Sequence, residues 1–319
     1  MRIIAIHGIG DHPADFHRDW ADVLRDEFGS GECEVLGLRW TEDQRRIANR
    51  FPVLSQRLTG LAGRLGAGMD DSLRQSTGFQ LVQQYVHDVF TYAALHDMRH
   101  LVQTEAMRQL RQLSGGDRAG DTVLVAHSLG AALAVHAAQL EKRVVGRIGW
   151  RGLVMLAPPL GVRSPLPNVL DPLAVTPDSR VPTNLQGGLD EHLADERITW
   201  AEPRSRPLGH KPDEAERLAI LRQICSNWLP CGADPLHFVV NRNDMVCSDV
   251  RFDVLGRSID PVSIKQGYSD AEQTLLKNGA SWHSVAFGEP KLDAIAANHD
   301  ALTYLQQPET LAAIRRAFA

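Results

Sequence analysis

The sequence predicts an α/β protein built on a doubly wound, mostly parallel sheet, and two features of the chain support this fold class. Short apolar runs alternate with stretches of helical periodicity, which is the pattern of parallel strands joined by helices. The runs at 123–126 (VLVA) and 153–156 (LVML) are apolar at every position, as suits strands covered by helices on both faces. With 319 residues, of which 43% are hydrophobic, the chain can bury a large core. We expect a single domain spanning 1–319.

Six segments are strand candidates because each is short, rich in apolar or β-branched residues, and bounded by turn residues. They are Arg2–Ile6, Cys33–Arg39, Thr122–Ala126, Gly152–Ala157, Leu236–Asn241 and Ser281–Phe287. All but the first follow helical sequence, so we expect crossover connections between parallel strands.

Two connections between these strands are far longer than the usual few residues, and such excess is typical of caps, lids and binding loops. The first, 41–121, contains a long amphipathic stretch at Leu81–Leu113. The second, 158–235, is rich in Pro, Asp and Gly before it turns helical at 212–228. We expect helical cap or lid insertions here, with Pro159–Gly188 as a mobile loop over a site. Apolar side chains of the first insertion can line an acyl pocket or belong to the core, and the core is favoured.

Charge and composition exclude several classes of function. A net charge of -5 gives no basic footprint for nucleic acid. The apolar run Ile3–Ile6 is too short for a signal peptide, and the sequence has no run of about 18 apolar residues that could span a membrane. The four cysteines lie apart, without a C-x-x-C pair. We therefore expect reduced thiols, no metal site, and a cytoplasmic protein without stable membrane insertion.

The segment at 123–138 (VLVAHSLGAALAVHAA) carries the strongest chemical signal. A strand runs into a serine and then into a helix of small residues, which is the pattern of a nucleophile elbow. The positions two before and two after Ser128 must be small because strand and helix approach closely there, and Ala126 and Gly130 meet this need. Ala126 replaces the glycine of the usual G-x-S-x-G form. The alternative is a helix-capping serine at an ordinary strand-to-helix junction.

The motif HGIG directly follows the first strand and predicts an oxyanion loop. An acyl-transfer site needs two backbone N–H donors, one after the nucleophile and one from the loop after an early strand. The N–H groups of Leu129 and Ile9 are predicted to fill these places. Gly8 and Gly10 let the backbone bend close to the substrate.

The same glycines allow a competing interpretation, dinucleotide binding through G-x-G-x-x-G. Pro13 stands where the third glycine belongs, so this interpretation is disfavoured. His7 and His127 are interpreted as supporting neighbours of the oxyanion loop and the elbow.

Together these motifs resemble the α/β-hydrolase superfamily, and in particular bacterial esterase-like and lipase-like serine hydrolases. The resemblance is carried by a strand ending in HGIG, a later strand ending in AHSLG, a D-x-V motif and a C-terminal histidine. It covers the strands and their loops from Arg2 to Tyr304 but not the two long insertions. It implies an α/β-hydrolase fold with a triad in the chain order Ser, Asp or Glu, His. The insertions are then expected to set substrate choice.

The acid is sought at the end of the fifth strand, where LHFVV opens into NRNDMV. A carboxylate at the carboxyl end of that strand would lie beside the serine in a doubly wound sheet. Asp244 is predicted to be the acid, and Asp249 and Asp253 are the alternatives.

Only His283 and His299 follow Asp244 in the chain and so respect the expected order. His299 precedes a helix, and the spacing H-x-x-x-x-Y is similar to the C-terminal end of many bacterial esterase-like hydrolases. His283 lies in SWHSVAF, where the alternation indicates a strand residue in the core. His299 is predicted to be the base, with His283 as the alternative.

The predicted function is hydrolysis of a carboxylic ester through an acyl-enzyme on Ser128, without a cofactor or metal. A small-molecule or lipid-like ester is the expected substrate, and no motif implies an oligomeric state. Thioesterase, lipase and acyltransferase activities are alternatives within the same fold. A non-catalytic binding protein on a hydrolase scaffold is the alternative from another class.

Overall fold

The computed structural model describes residues 1–8, 10, 12–29, 33–49, 92, 96–115, 120–158, 213–244, 251–252, 259–260, 270–289 and 294–319. Within them, six parallel strands form one sheet: β1 (Arg2–Ile6), β2 (Glu34–Leu38), β3 (Thr122–His127), β4 (Gly152–Leu156), β5 (Leu236–Asn241) and β8 (Ser281–Val285). Their order in the sheet is β2-β1-β3-β4-β5-β8. A separate antiparallel pair consists of β6 (Arg251–Phe252) and β7 (Ile259–Asp260).

Nine helices are described along the chain, and at least one of them lies between most pairs of successive strands of the sheet. They are α1 (His17–Phe28), α2 (Trp40–Asn49), α3 (His96–Leu113), α4 (Leu129–Val145), α5 (Glu214–Trp228), α6 (Asp270–Gly279), α7 (Ile295–Asn298), α8 (Ala301–Leu305) and α9 (Pro308–Phe318). A 3-10 turn at Leu229–Cys231 ends α5.

The predicted fold class is confirmed, and each of the six strand candidates forms a strand of the sheet. The differences are at the ends. β3 includes His127 because this residue still pairs with Leu156 of β4. β8 ends at Val285, the last residue paired with β5, so Phe287 lies in the turn that follows. The pair β6–β7 was not predicted, because strands of two residues are too short to show alternation.

Successive side chains of each strand point to opposite faces of the sheet, so the core has two halves. Ile4 and Ile6 of β1 pack on the face covered by α3, α4 and α5. Ile3 and Ala5 pack on the other face, which α1, α8 and α9 cover. Residues at both sets of positions are fully buried. This two-sided burial explains why the strands read as continuous apolar runs.

The direction of winding reverses at β1. From β1 the chain crosses to β2 at one edge, then returns past β1 to β3 and continues outward through β4 and β5. The helices that follow β1 and β3 therefore cover opposite faces, α1 on one and α4 on the other. The carboxyl ends of β1 and β3 border the crevice that such a reversal opens, which is where open α/β sheets bind ligands.

The described helices of the two long connections pack against one face of the sheet. α3 packs beside α4 and contributes Leu101 and Leu110 to the core, and α5 contributes Leu221 and Trp228. The helical pattern predicted at 212–228 begins at Glu214, after an Asp213 cap whose carboxylate accepts from the Glu216 N–H. The cap or lid expected from the other residues of these insertions, including Pro159–Gly188, lies outside the described residues.

Within the described part of the chain, no helix is long and apolar enough to cross a bilayer. Cys33, Cys225 and Cys231 are free thiols there, and burial raises the pKa of Cys225 to about 11.

Candidate active site

Ser128 occupies the sharp turn between β3 and α4. Its backbone has φ 52° and ψ -128°, a conformation that side chains rarely adopt and that costs of order 1–3 kcal/mol. The neighbouring strand holds the turn in place, because the Ser128 N–H donates to the Leu156 carbonyl at 2.8 Å. Ala157, the residue after β4, is the other described non-glycine residue with positive φ, at 50°. Strain is thus concentrated at the carboxyl ends of two adjacent strands, as at a nucleophile elbow.

Gly130 lets the start of α4 approach the end of β1. A Cβ on this residue would lie 2.9 Å from the Ile6 carbonyl oxygen and still closer to that of His7. Leu129 is the first residue of α4, and the first N–H groups of a helix have no acceptor within that helix. The helix itself therefore provides no acceptor for the Leu129 N–H, which belongs to the residue directly after Ser128.

Gly8, which follows His7 in the HGIG motif, packs directly against Ser128. A Cβ on Gly8 would lie 2.8 Å from the Ser128 Cβ, so this part of the loop lies in close contact with the serine. Gly10 has φ 95°, which favours glycine. Ile9, the predicted second oxyanion donor, lies outside the described residues, although both flanking glycines are described.

His7 makes two hydrogen bonds at the start of the HGIG motif. Its Nδ1–H donates to the Gly8 carbonyl at 2.8 Å, and its own carbonyl accepts from the Trp40 indole N–H at 2.8 Å. Burial, followed by the nearby His12, lowers the pKa of His7 to about 3. The imidazole of His7 is thus neutral and donates a hydrogen bond to the residue that follows it.

Asp244 lies just beyond β5, and it is fully buried. Its N–H donates to the Asn241 carbonyl at 3.0 Å, which closes a tight turn at the end of the strand. The turn directs the carboxylate toward His299, whose Nδ1–H donates to Asp244 Oδ2 at 2.7 Å. Because a carboxylate only accepts, this contact fixes the imidazole tautomer and leaves Nε2 as an acceptor.

The other imidazole nitrogen completes a chain of hydrogen bonds. The Ser128 Oγ–H donates to His299 Nε2 at 2.8 Å. All three side chains are buried, with His299 only 4% exposed. Serine, imidazole and carboxylate in this order form the geometry in which a hydroxyl passes its proton to a base held by an acid.

Asparagine side chains connect the loops that carry Asp244 and His299. Asn241 Nδ2–H donates to the Asn298 carbonyl at 3.2 Å, and Asn298 Nδ2–H donates to the Asn243 carbonyl at 3.0 Å. The residues that directly precede Asp244 and His299 are therefore bonded to each other, which limits the movement of one loop relative to the other.

The same segments lie within the match to a known protein family. The model of the Alpha/beta hydrolase family matches residues 3–314. The chain belongs to the α/β-hydrolase family. The resemblance inferred from HGIG and AHSLG is confirmed, and the match extends from the first strand to the last helix.

Solved structures similar to this α/β-hydrolase include a thermostable esterase from Pseudomonas putida ECU1011, at 15% sequence identity and a TM-score of 0.36. Two mutants of the esterase rPPE are similar at 14% identity and a TM-score of 0.35. Each similarity covers 100% of this chain and 72% of the other. No curated protein sequence matches this chain.

His127 lies at the end of β3 in this hydrolase, between the elbow and the histidine loop. Its ring centroid is 4.7 Å from that of His299. Burial, followed by the proximity of His299, holds the pKa of His127 well below its usual range. A neutral ring at this position packs against the imidazole of His299 without adding a second charge.

His283 lies away from this chain of hydrogen bonds. It is a buried residue of β8, and its Nε2 lies 3.1 Å from Nδ1 of His237 on β5. Burial lowers the pKa of His283. The alternative acids Asp249 and Asp253 lie outside the described residues.

Tyr304 is the residue in this region that the sequence analysis did not assign to the site. Its hydroxyl donates to Asp244 Oδ2 at 2.9 Å, and the side chain is fully buried. The signal was present in the H-x-x-x-x-Y spacing, but spacing alone did not show that the tyrosine reaches the acid. In the described residues, no cluster of three or more His, Cys, Asp or Glu side chains is arranged to hold a metal.

Proposed function

We propose that this α/β-hydrolase is a serine esterase that cleaves carboxylic esters through an acyl-enzyme on Ser128. The observation that carries the proposal is the chain of hydrogen bonds from Ser128 Oγ to His299 Nε2 at 2.8 Å and from His299 Nδ1 to Asp244 Oδ2 at 2.7 Å. The strained backbone at Ser128 and the close approach of Gly8 to this residue support the same assignment.

In the first half of the reaction, Ser128 Oγ attacks the ester carbonyl carbon while His299 Nε2 accepts the hydroxyl proton. Asp244 stabilises the imidazolium that forms, and it keeps its own negative charge. The negative charge on the former carbonyl oxygen is stabilised by the N–H groups proposed as the oxyanion hole, those of Leu129 and Ile9. The tetrahedral intermediate then collapses, and the alcohol leaves with the proton from His299.

In the second half, a water molecule attacks the acyl-enzyme. His299 accepts a proton from this water, the same N–H donors stabilise the second tetrahedral intermediate, and Ser128 leaves with the proton as the carboxylic acid is released. The substrate is proposed to be a small-molecule or lipid-like ester.

Labelling with a fluorophosphonate and hydrolysis of p-nitrophenyl esters test the proposal together. Wild-type protein should be labelled, and Ser128→Ala should abolish labelling and lower turnover by up to about a million-fold. Ser226→Ala is the matched control, because Ser226 is an exposed residue of α5 whose hydroxyl bonds the Gln223 carbonyl. It should leave both signals unchanged.

Two outcomes contradict the proposal. One is wild-type protein that neither reacts with the probe nor turns over esters, as expected of a binding protein on a hydrolase scaffold. The other is labelling that survives in Ser128→Ala. A parallel panel of acyl-CoA thioesters determines whether an ester or a thioester is the preferred substrate.

A further inference from the structure

The Tyr304 hydroxyl joins the end of β5 to the acid of the site. It accepts a hydrogen bond from the Asn241 N–H at 2.9 Å and donates one to Asp244 Oδ2 at 2.9 Å. The residue lies on α8, which begins directly after His299 and is capped by Asp300, whose carboxylate accepts from the Thr303 N–H at 2.8 Å. The backbone that presents the histidine therefore also presents the tyrosine.

The oxygen that Tyr304 contacts is the one that His299 uses. Asp244 Oδ2 accepts from both the imidazole Nδ1–H and the phenol O–H. Two donors on one oxygen restrict rotation of the carboxylate more than one donor does. They also share its negative charge, because a hydrogen bond to an anion draws charge from it.

Packing in the core also fixes the aromatic ring of Tyr304. Tyr304 is fully buried and packs edge-to-face on Phe287, with ring centroids 5.0 Å apart. Its position is therefore set by the core, and the phenol oxygen has a fixed place from which to orient the acid.

We propose that Tyr304 is a positioning residue whose hydroxyl holds the Asp244 carboxylate in the orientation that His299 needs and limits the charge that this carboxylate presents to the imidazole. The inference rests on the proposed function, since it assigns Tyr304 a part in setting the basicity of the proposed catalytic histidine. Tyr304 acts through Asp244 and is not assigned a contact with substrate.

The sign of the effect follows from the charge balance. Without the phenol O–H, Asp244 carries more charge on Oδ2 and stabilises the protonated imidazole more strongly. The active, neutral form of His299 then appears at higher pH. Among the described titratable groups, Asp244 after β5 and His127 at the end of β3 face His299, and His7 and His12 lie near His127. Since burial keeps His127 neutral, it does not titrate in the same range.

The test is the pH profile of kcat and of kcat/KM for Tyr304→Phe, normalised to the fraction of protein that a fluorophosphonate titrates. We expect kcat to fall by about tenfold with KM little changed. The acid limb of kcat/KM should move to higher pH by about half a pH unit. Tyr92→Phe is the matched control: it also removes a buried hydroxyl, one bonded to His136 Nδ1 at 2.8 Å, and should leave the acid limb in place.

A second variant reverses the sign and keeps both hydrogen bonds. Replacing Tyr304 by 3-fluorotyrosine makes the phenol a stronger donor, so the acid limb should move to lower pH. A profile that is unchanged in both variants, or a shift opposite to either expectation, overturns the inference. Ester cleavage that survives Ser128→Ala overturns the proposed function. An unchanged profile in an enzyme that does depend on Ser128 overturns only the assignment of Tyr304.

Discussion

Gly8→Ala tests whether the close contact between Gly8 and Ser128, the proposed nucleophile, is needed for activity. The added Cβ would lie 2.8 Å from the Ser128 Cβ and 2.9 Å from His127 Nδ1. Carbon atoms in good contact are about 3.5–4.0 Å apart, so the loop or the serine must withdraw by about 0.7 Å or more. Neither neighbour yields easily, since Ser128 is held in a strained turn and His127 is buried at a strand end.

The expected cost falls mainly on catalysis. A misplacement of about 1 Å between reacting groups can cost about 100-fold in rate, and loss of one oxyanion donor costs about 100- to 1,000-fold. We therefore expect kcat/KM for a p-nitrophenyl ester to fall by about 100-fold, equivalent to about 2.7 kcal/mol of transition-state stabilisation. Overpacking should lower the unfolding free energy by about 1–3 kcal/mol, which leaves the variant folded at 25 °C.

Steady-state kinetics and urea unfolding of Gly8→Ala separate the two effects. Gly120→Ala is the matched control, because a Cβ there meets no atom within 4 Å, and it should match the wild type in both assays. If Gly8→Ala retained kcat/KM within about threefold of wild type, close packing of Gly8 on Ser128 would not be needed to align the reacting groups. That result would refute the expected role of this contact in catalysis.

Two further predictions concern the histidines. His299→Ala should abolish p-nitrophenyl ester cleavage, whereas His283→Ala should retain most of it because His283 contacts His237; the reverse result would assign the base to His283. Burial lowers the pKa of His237 from 6.5 to about 4. Between pH 6.5 and pH 4, His237 is therefore protonated in the unfolded chain and neutral in the folded chain. The unfolding free energy should therefore decrease as the pH falls below 6.5, and His283, which lies 3.1 Å from His237 and also has a lowered pKa, contributes in the same direction. Urea unfolding at pH 7 and pH 5 should show that the unfolding free energy decreases less in His237→Gln than in the wild type. An equal decrease in the two proteins would contradict His237 as a source of the pH dependence.

The sheet could be predicted because its strands are buried on both faces. Burial of both faces requires an apolar residue at nearly every position, and segments such as β3 and β4 show this without any knowledge of the fold. Their order in the sheet depends on which helix covers which face. That is a property of distant segments packing together, which local patterns do not contain.

How well the sequence predicts each residue of the candidate site depends on how close that residue lies to the end of a strand. Ser128 and Asp244 immediately follow β3 and β5, so the topology of a parallel sheet places them at one edge. His299 follows the short helix α7, and its place beside Ser128 depends on Asn298 and Asn241 bonding across loops. Chain order and the family resemblance therefore favour His299 as the base, and they leave His283 as an alternative. The hydrogen bond from Tyr304 to Asp244 crosses 60 residues of sequence, and the H-x-x-x-x-Y spacing does not reveal this long-range contact.

The departure of this chain from G-x-S-x-G shows that the two small positions of the motif serve different needs. Ala126 lies within β3, between Ile6 and Met155 of the neighbouring strands, and its methyl group is part of the core beneath α4. Gly130 instead faces the carbonyl oxygens of Ile6 and His7, where an added Cβ cannot be accommodated without moving backbone. The position before the serine can thus fill space in the core. The position after it must stay without a side chain, because there α4 lies against the end of β1, the strand that leads to Gly8 beside Ser128.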